Sequence, residues 1–177
     1  MKFTTEKSAV VFNGRVFDLV QEQVRYPDGR LAEVDLIRHA GAVAMLPIDS
    51  DGQLVFIRQY RHAVGGMLLE IPAGRLEDGE DPEACAQREL QEEIGMAAGW
   101  LRPLGGFYPV AGYSDEYLNL FLAGDLEPSE LPGDADELIE LERISPSTAL
   151  SMAARAEIQD AKTLIALFWA QAALAKL

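Results

Sequence analysis

At 177 residues with 49% hydrophobic side chains, the chain can bury one sizeable core and is too short for several. Its 29 acidic residues against 15 basic ones give a formal charge of −14, which excludes the basic surface that nucleic-acid binding needs. Cys85 is the one cysteine, so an intrachain disulfide is excluded. With no apolar run of signal-peptide or membrane-spanning length, the chain reads as soluble and cytoplasmic.

Strands are expected first. AVVFNGRVFDLVQEQVRY carries β-branched and aromatic residues around an Asn13-Gly14 turn, and Pro27-Asp28-Gly29 leads into the alternating LAEVDLIRHA. Three short strands over residues 9–40 make a sheet with open edges, marginal alone and in want of something to pack on. GAVAMLPI and LVFIRQYR, on either side of Asp49-Ser50-Asp51-Gly52, are expected as a buried hairpin, with MLLEIP as the next strand.

Asp81-Pro82 predicts a helix start, because Asp is a good N-cap and Pro is tolerated at the first helical position; Gly95 predicts its end. Beyond it come a strand at Leu101 to Phe107, a loop at Tyr108 to Glu116, a strand at Tyr117 to Ala123 and an acidic, proline-containing loop at Asp125 to Asp136. A strand at Leu138 to Ile144 precedes a helix opened by Ser145-Pro146-Ser147. The final helix is expected over Asp160 to Lys176, amphipathic, with Leu164, Leu167, Phe168 and Leu174 among its apolar positions. Strands and helices in this order predict an α/β or α+β layered domain.

Within the first of these helices, Glu89, Glu92 and Glu93 stand three and four residues apart and so share a face. Crowded carboxylates repel one another and call for positive charge; such an oxygen-rich cluster suits a hard cation, Mg2+ or Mn2+. Gly74, Glu80, Arg88, Glu89, Leu90, Glu92, Glu93, Gly95 and Met96 together resemble the Nudix box at every defined position. A merely solvated acidic helix face does not require that register. The stretches NGRVFDLVQEQVRYPDGR, RQYRHAVGGMLLEIPAGR and FYPVAGYSDEYLNLFLA resemble the ADP-ribose pyrophosphatase branch of the Nudix family.

The resemblance implies an α/β/α sandwich with a mixed sheet over residues 41–177. It also implies a small N-terminal antiparallel β subdomain over residues 1–40 that is swapped across a homodimer and touches substrate. The activity implied is metal-dependent hydrolysis of the pyrophosphate bond of ADP-ribose or a related nucleoside diphosphate derivative, with AMP and ribose 5-phosphate the products from ADP-ribose. Glu89 and Glu93 are implied as the main metal ligands, Glu92 as a ligand or catalytic group in the same cluster, and the Ala73 carbonyl as a further ligand. Arg88 is expected to orient a carboxylate, and Glu80 to support the loop or a second metal. Arg58 and Arg61 resemble substrate-binding arginines, with Glu70 a further contact. Glu116 is the expected general base, with Asp115 its rival. His39 and His62 are expected to be packed or exposed, and Cys85 small and partly buried.

One departure bears on substrate: Ala111 stands where the ADP-ribose enzymes typically have proline. FAD, dinucleoside polyphosphates and nucleotide sugars are alternatives within the class. A nucleotide-sensing module that does not hydrolyse is an alternative outside it, against which the intact set of carboxylates weighs.

Overall fold

The computed structural model describes residues 2–133 and 138–175. They form two compact units. The first comprises the chain up to Gly41 together with Phe107–Tyr117; the second comprises Ala42–Gly106 and the chain from Leu118 onward.

In the first unit β1 (Thr4–Asn13), β2 (Asp18–Arg25) and β3 (Leu31–Arg38) form an antiparallel sheet in that order. The first strand starts earlier than the sequence suggests, at Thr4. Its turn runs through Gly14–Phe17, closed by Gly14 N donating to Phe17 O at 3.1 Å and Asn13 Nδ2 donating to Asp18 Oδ1 at 2.6 Å. The second turn relies on Gly29, whose φ of 88° is a left-handed conformation that favours glycine. Every residue of β1 is exposed. The segment 107–117 joins this sheet through a parallel bridge, Ile37 to Ser114.

The second unit holds two sheets. β4 (Ala42–Pro47), β7 (Ala73–Arg75), β8 (Met96–Phe107) and β9 (Leu118–Pro128) make a mixed sheet in the order β7-β4-β9-β8, with β4 and β9 parallel. β5 (Leu54–Arg61), β6 (Gly66–Glu70) and β10 (Ile139–Ile144) make an antiparallel sheet in the order β10-β5-β6. The expected hairpin of residues 42–61 is therefore corrected. Asp49 does build a tight turn, accepting at Oδ1 from Asp51 N and Gln53 N. After the single Ile48–Leu54 bridge, however, the strands part into different sheets. All six residues of β4 are buried, and its edges are taken by β7 and β9.

Three helices complete this unit: α1 (Pro82–Ile94), α2 (Pro146–Ala154) and α3 (Ala161–Leu174). Val43 and Met45 of β4 pack with Phe121 and Ala123 of β9 against Cys85, Ala86, Leu90 and Ile94 of α1. Side-chain alternation sends Ala44, Leu46, Leu120 and Leu122 to the opposite face, and α3 packs on the same two strands with Ala166, Leu167 and Ala170 buried. A mixed sheet with helices on both faces is the layered sandwich the sequence predicts.

Several boundaries differ. β8 begins directly at Met96. β9 runs to Pro128 and so takes the first part of the expected acidic loop; residues 134–136 of that loop lie outside the described residues, as does Lys176 of the expected final helix. In α3 Leu167 and Leu174 are buried, but Phe168 is 71% exposed. The helix is apolar on nearly every side, so its sequence carries no clear period to mark the buried face. Among the described residues no helix is long and apolar enough to cross a membrane.

Candidate active site

Local chemistry fixes α1 at both ends. Asp81 caps its N-terminus, accepting from Glu83 N at 2.9 Å and Ala84 N at 3.3 Å, with Pro82 as the first helical residue. Gly95 turns left-handed at φ 68° and donates its N–H to Leu90 O. A helix pinned at each end holds its acidic face in a fixed place.

Arg88 is the hub of that face. Its Nη1 donates to Glu89 Oε1 at 2.6 Å and to Glu92 Oε2 at 2.8 Å, while Nε and Nη2 each donate to Glu80 at 3.0 Å. The Arg88 bonds hold the Glu80 carboxyl down at about 2 and push the Arg88 guanidinium still higher than usual. Glu80 also accepts from Glu77 N at 2.9 Å, so it ties the preceding loop to the helix. Glu93, 7% exposed, accepts from Ala73 N at 2.8 Å. The Glu89 carboxylate lies against Gly74 so closely that a Cβ there would be 1.8 Å from its Cδ, and any larger residue would push the carboxylate aside.

Four carboxylates thus form this set, three of them bonded to Arg88. Among the described residues no three acidic, histidine or cysteine side chains already converge on one point. Arg88 draws Glu89, Glu92 and Glu80 to itself instead. The donor set is all hard oxygen, and Glu89 and Glu93 both abut the Ala73–Gly74 backbone. These residues fit a hard divalent cation by the chemistry of their donors. Cys85 adds nothing to it: it is fully buried, and burial pushes its thiol up to about 12, leaving no thiolate at neutral pH.

A second charged network lies at the junction of β5, β6 and α3. Glu70 is 1% exposed and accepts from Arg61 in a two-pronged pair, Nε at 2.9 Å and Nη2 at 2.7 Å, and from Lys162 Nζ. Lys162 also pairs with Asp160 at 3.1 Å, and Asp160 caps α3 through Thr163 N at 2.9 Å. Thr163 Oγ1 in turn accepts from Ile71 N at 2.9 Å. Burial pushes the Glu70 carboxyl up, but Arg61 and Lys162 outweigh it and the net shift is downward. Arg61 keeps a side chain 38% exposed, and Arg58 donates from Nε to Glu142 at 2.5 Å. Lys162 and Glu142 carry no mark in the sequence; their partners lie 92 and 84 residues away.

The two loop carboxylates belong to the first unit and differ in their engagement. Asp115 accepts from Arg38 Nη1 at 3.0 Å and from His39 N at 2.9 Å. The Glu116 carboxylate has no hydrogen-bond or ion-pair partner among the described residues; its backbone N–H donates to Ser114 Oγ at 3.1 Å. His39 Nδ1 accepts from Gly41 N at 3.0 Å, and the His62 ring stands 6.3 Å from that of Tyr60.

The NUDIX domain model matches residues 38–167. The chain belongs to the NUDIX family. It is 38% identical to an ADP-ribose pyrophosphatase of Bacillus subtilis, over 97% of this chain and 95% of that one. It is 36% identical to a methanol dehydrogenase activator of Bacillus methanolicus, over 94% of this chain and 91% of that protein. Among solved structures, an ADP compounds hydrolase superposes with a TM-score of 0.86 at 25% identity, covering 99% of this chain and 96% of the other. Gly74 to Met96 is thus a NUDIX box whose helix, caps and carboxylate cluster are those described above.

Proposed function

We propose that this NUDIX enzyme hydrolyses the pyrophosphate bond of ADP-ribose or a related nucleoside diphosphate derivative, giving AMP and ribose 5-phosphate from ADP-ribose. The observation that carries this reading is the box cluster itself: Glu89 pressed on Gly74 and bonded to Arg88, and Glu93 bonded to Ala73 N. The similarity to an ADP-ribose pyrophosphatase over nearly the whole chain supports the substrate class.

Glu89, Glu93, Glu92 and the Ala73 carbonyl would hold the cation, Mg2+ or Mn2+. When bound, it supplies charge neutralisation on the pyrophosphate and a water of lowered pKa. Arg88 keeps Glu89 and Glu92 in place, and Glu80 keeps Arg88 in place. Arg61, oriented by Glu70, and Arg58 present guanidinium groups to the phosphate oxygens. Glu116 accepts the proton of the attacking water, its carboxylate being uncommitted where that of Asp115 is tied up. The working assembly is a homodimer: Val10, Val11 and Phe12 of the exposed strand β1 are each more than half exposed, and the partner covers them. Cytoplasm is its proposed place of work.

A panel of nucleoside diphosphate compounds with Mg2+ or Mn2+, its products separated by chromatography, tests the activity. ADP-ribose turned over to AMP and ribose 5-phosphate is the expected result, while no turnover of any compound would support the sensor reading. Light scattering at micromolar concentration should give twice the chain mass, and a fully active monomer would refute the dimer.

A further inference from the structure

We propose that Arg38 is a positioning residue for Glu116: with Glu22 it clamps the loop that carries the base onto the N-terminal sheet. The proposal rests on the assignment of Glu116 as base, and it gives that sheet a role inside its own chain, apart from any partner.

The loop is held from below by the backbone. Ile37 N donates to Tyr113 O at 2.7 Å, and Asp115 N donates to Ile37 O at 3.2 Å, so residues 113–115 add to the end of β3 as a short parallel rung. Two backbone bonds are a weak hold on a loop most of whose residues are solvent-facing. Side chains supply the rest. Arg38 reaches in two directions, Nη2 to Glu22 Oε1 at 2.8 Å and Nη1 to Asp115 Oδ2 at 3.0 Å. Asp115 Oδ1 takes a further bond from His39 N at 2.9 Å, so both of its oxygens are committed to β3 and the residue that follows it.

Glu22 is the fixed end of the clamp. It is 8% exposed and accepts from Ser8 Oγ at 3.2 Å and Thr5 Oγ1 at 3.3 Å as well as from Arg38. β1, β2, β3 and the loop are thus linked side chain to side chain. The Arg38 bond also holds the Glu22 carboxyl below its usual range, and Glu22 and then Asp115 push the guanidinium up. Lysine keeps the charge but lacks the planar fork whose two Nη atoms point one to each carboxylate here. The effect is to spend Asp115 on anchoring and leave its neighbour Glu116, whose N–H is bonded to Ser114 Oγ, with a carboxylate free of partners among the described residues. A misplacement of about 1 Å in a catalytic group costs up to about a hundredfold in rate.

The test is a double-mutant cycle with an exchange measurement beside it. kcat and KM are measured on ADP-ribose at saturating Mg2+ for Arg38→Met, Glu116→Gln and the pair, and hydrogen exchange follows the amides of Ile37, His39 and Asp115. Arg38→Met should lower kcat about tenfold with KM within about twofold, and should speed exchange at those amides. In the Glu116→Gln background the same substitution should cost almost nothing, because the residue it positions is already gone. Arg38→Lys, which keeps the charge, should fall between the two and covers the case in which Arg38→Met does not fold. An equal loss from Arg38→Met with or without Glu116, or unchanged exchange, overturns the proposal. If Glu116→Gln keeps full turnover, the base assignment fails by itself; the exchange data then still decide whether Arg38 holds the loop.

Discussion

Two charged clusters in the second unit are built from the same residue types and differ in exposure. Around α1, Arg88 gathers Glu80, Glu89 and Glu92, while Glu93 accepts from Ala73 N. At the β6–α3 junction, Arg61 and Lys162 meet Glu70 and Asp160, two cations to two carboxylates. The second cluster is closed by burial: Glu70 is sealed at 1% exposure. The first is open to solvent: the Glu80, Glu89 and Glu92 side chains keep 15%, 12% and 25% exposure. An oxygen-rich set that solvent reaches suits a hard cation; a sealed ion pair does not.

The sharpest way to break this contrast is to neutralise one member of the open cluster. Glu93→Gln keeps size and an oxygen for Ala73 N, so the fold should hold and thermal unfolding should be nearly unchanged. Turnover should fall by about a thousandfold or more, since the metal supplies much of the transition-state charge stabilisation. Near-normal kcat at saturating Mg2+ would remove Glu93 from the metal site.

The matching change in the closed cluster should act on stability. Glu70→Gln removes the charge Arg61 pairs with and leaves Lys162 to Asp160 alone, and denaturant unfolding should show a loss of about 2 kcal/mol, less than for a fully buried pair because Arg61 is part-exposed. An unchanged unfolding midpoint would show that the network does not matter to the fold.

How much of this was legible in the sequence follows from where each partner lies. Asp81, Pro82 and Gly95 announce α1 because caps are local, and the carboxylate face follows from helical spacing alone. The parting of β4 and β5 into separate sheets was not legible: both strands are apolar, and Asp49–Gly52 signals a turn whatever the strands do after it. Lys162 was invisible because its partner Glu70 is 92 residues away. Resemblance favours Glu116 over Asp115, but residue type and spacing do not separate the two; the physical difference is Arg38, 77 residues before Asp115.

The smallest expected effect sharpens the role of Glu80. Its carboxyl sits at about 2 in the folded chain against an ordinary 4.5, so the Arg88 bonds contribute stability that is fully present above pH 4.5 and lost as pH falls toward 2. Unfolding of wild type and Glu80→Gln should therefore differ by a constant amount above pH 4.5 and converge in acid. A difference that grows on acidification would contradict the ion pair.

Cation binding itself, read without turnover, bears most directly on the contrast between the open and the closed cluster. Mn2+ titrations followed by electron paramagnetic resonance on wild type, Glu93→Gln and Glu70→Gln compare the two in one experiment. Glu93→Gln should weaken Mn2+ binding about tenfold or more while Glu70→Gln stays within about twofold of wild type. Wild-type affinity in Glu93→Gln, or its loss in Glu70→Gln, would contradict the placement of the metal on the face of α1.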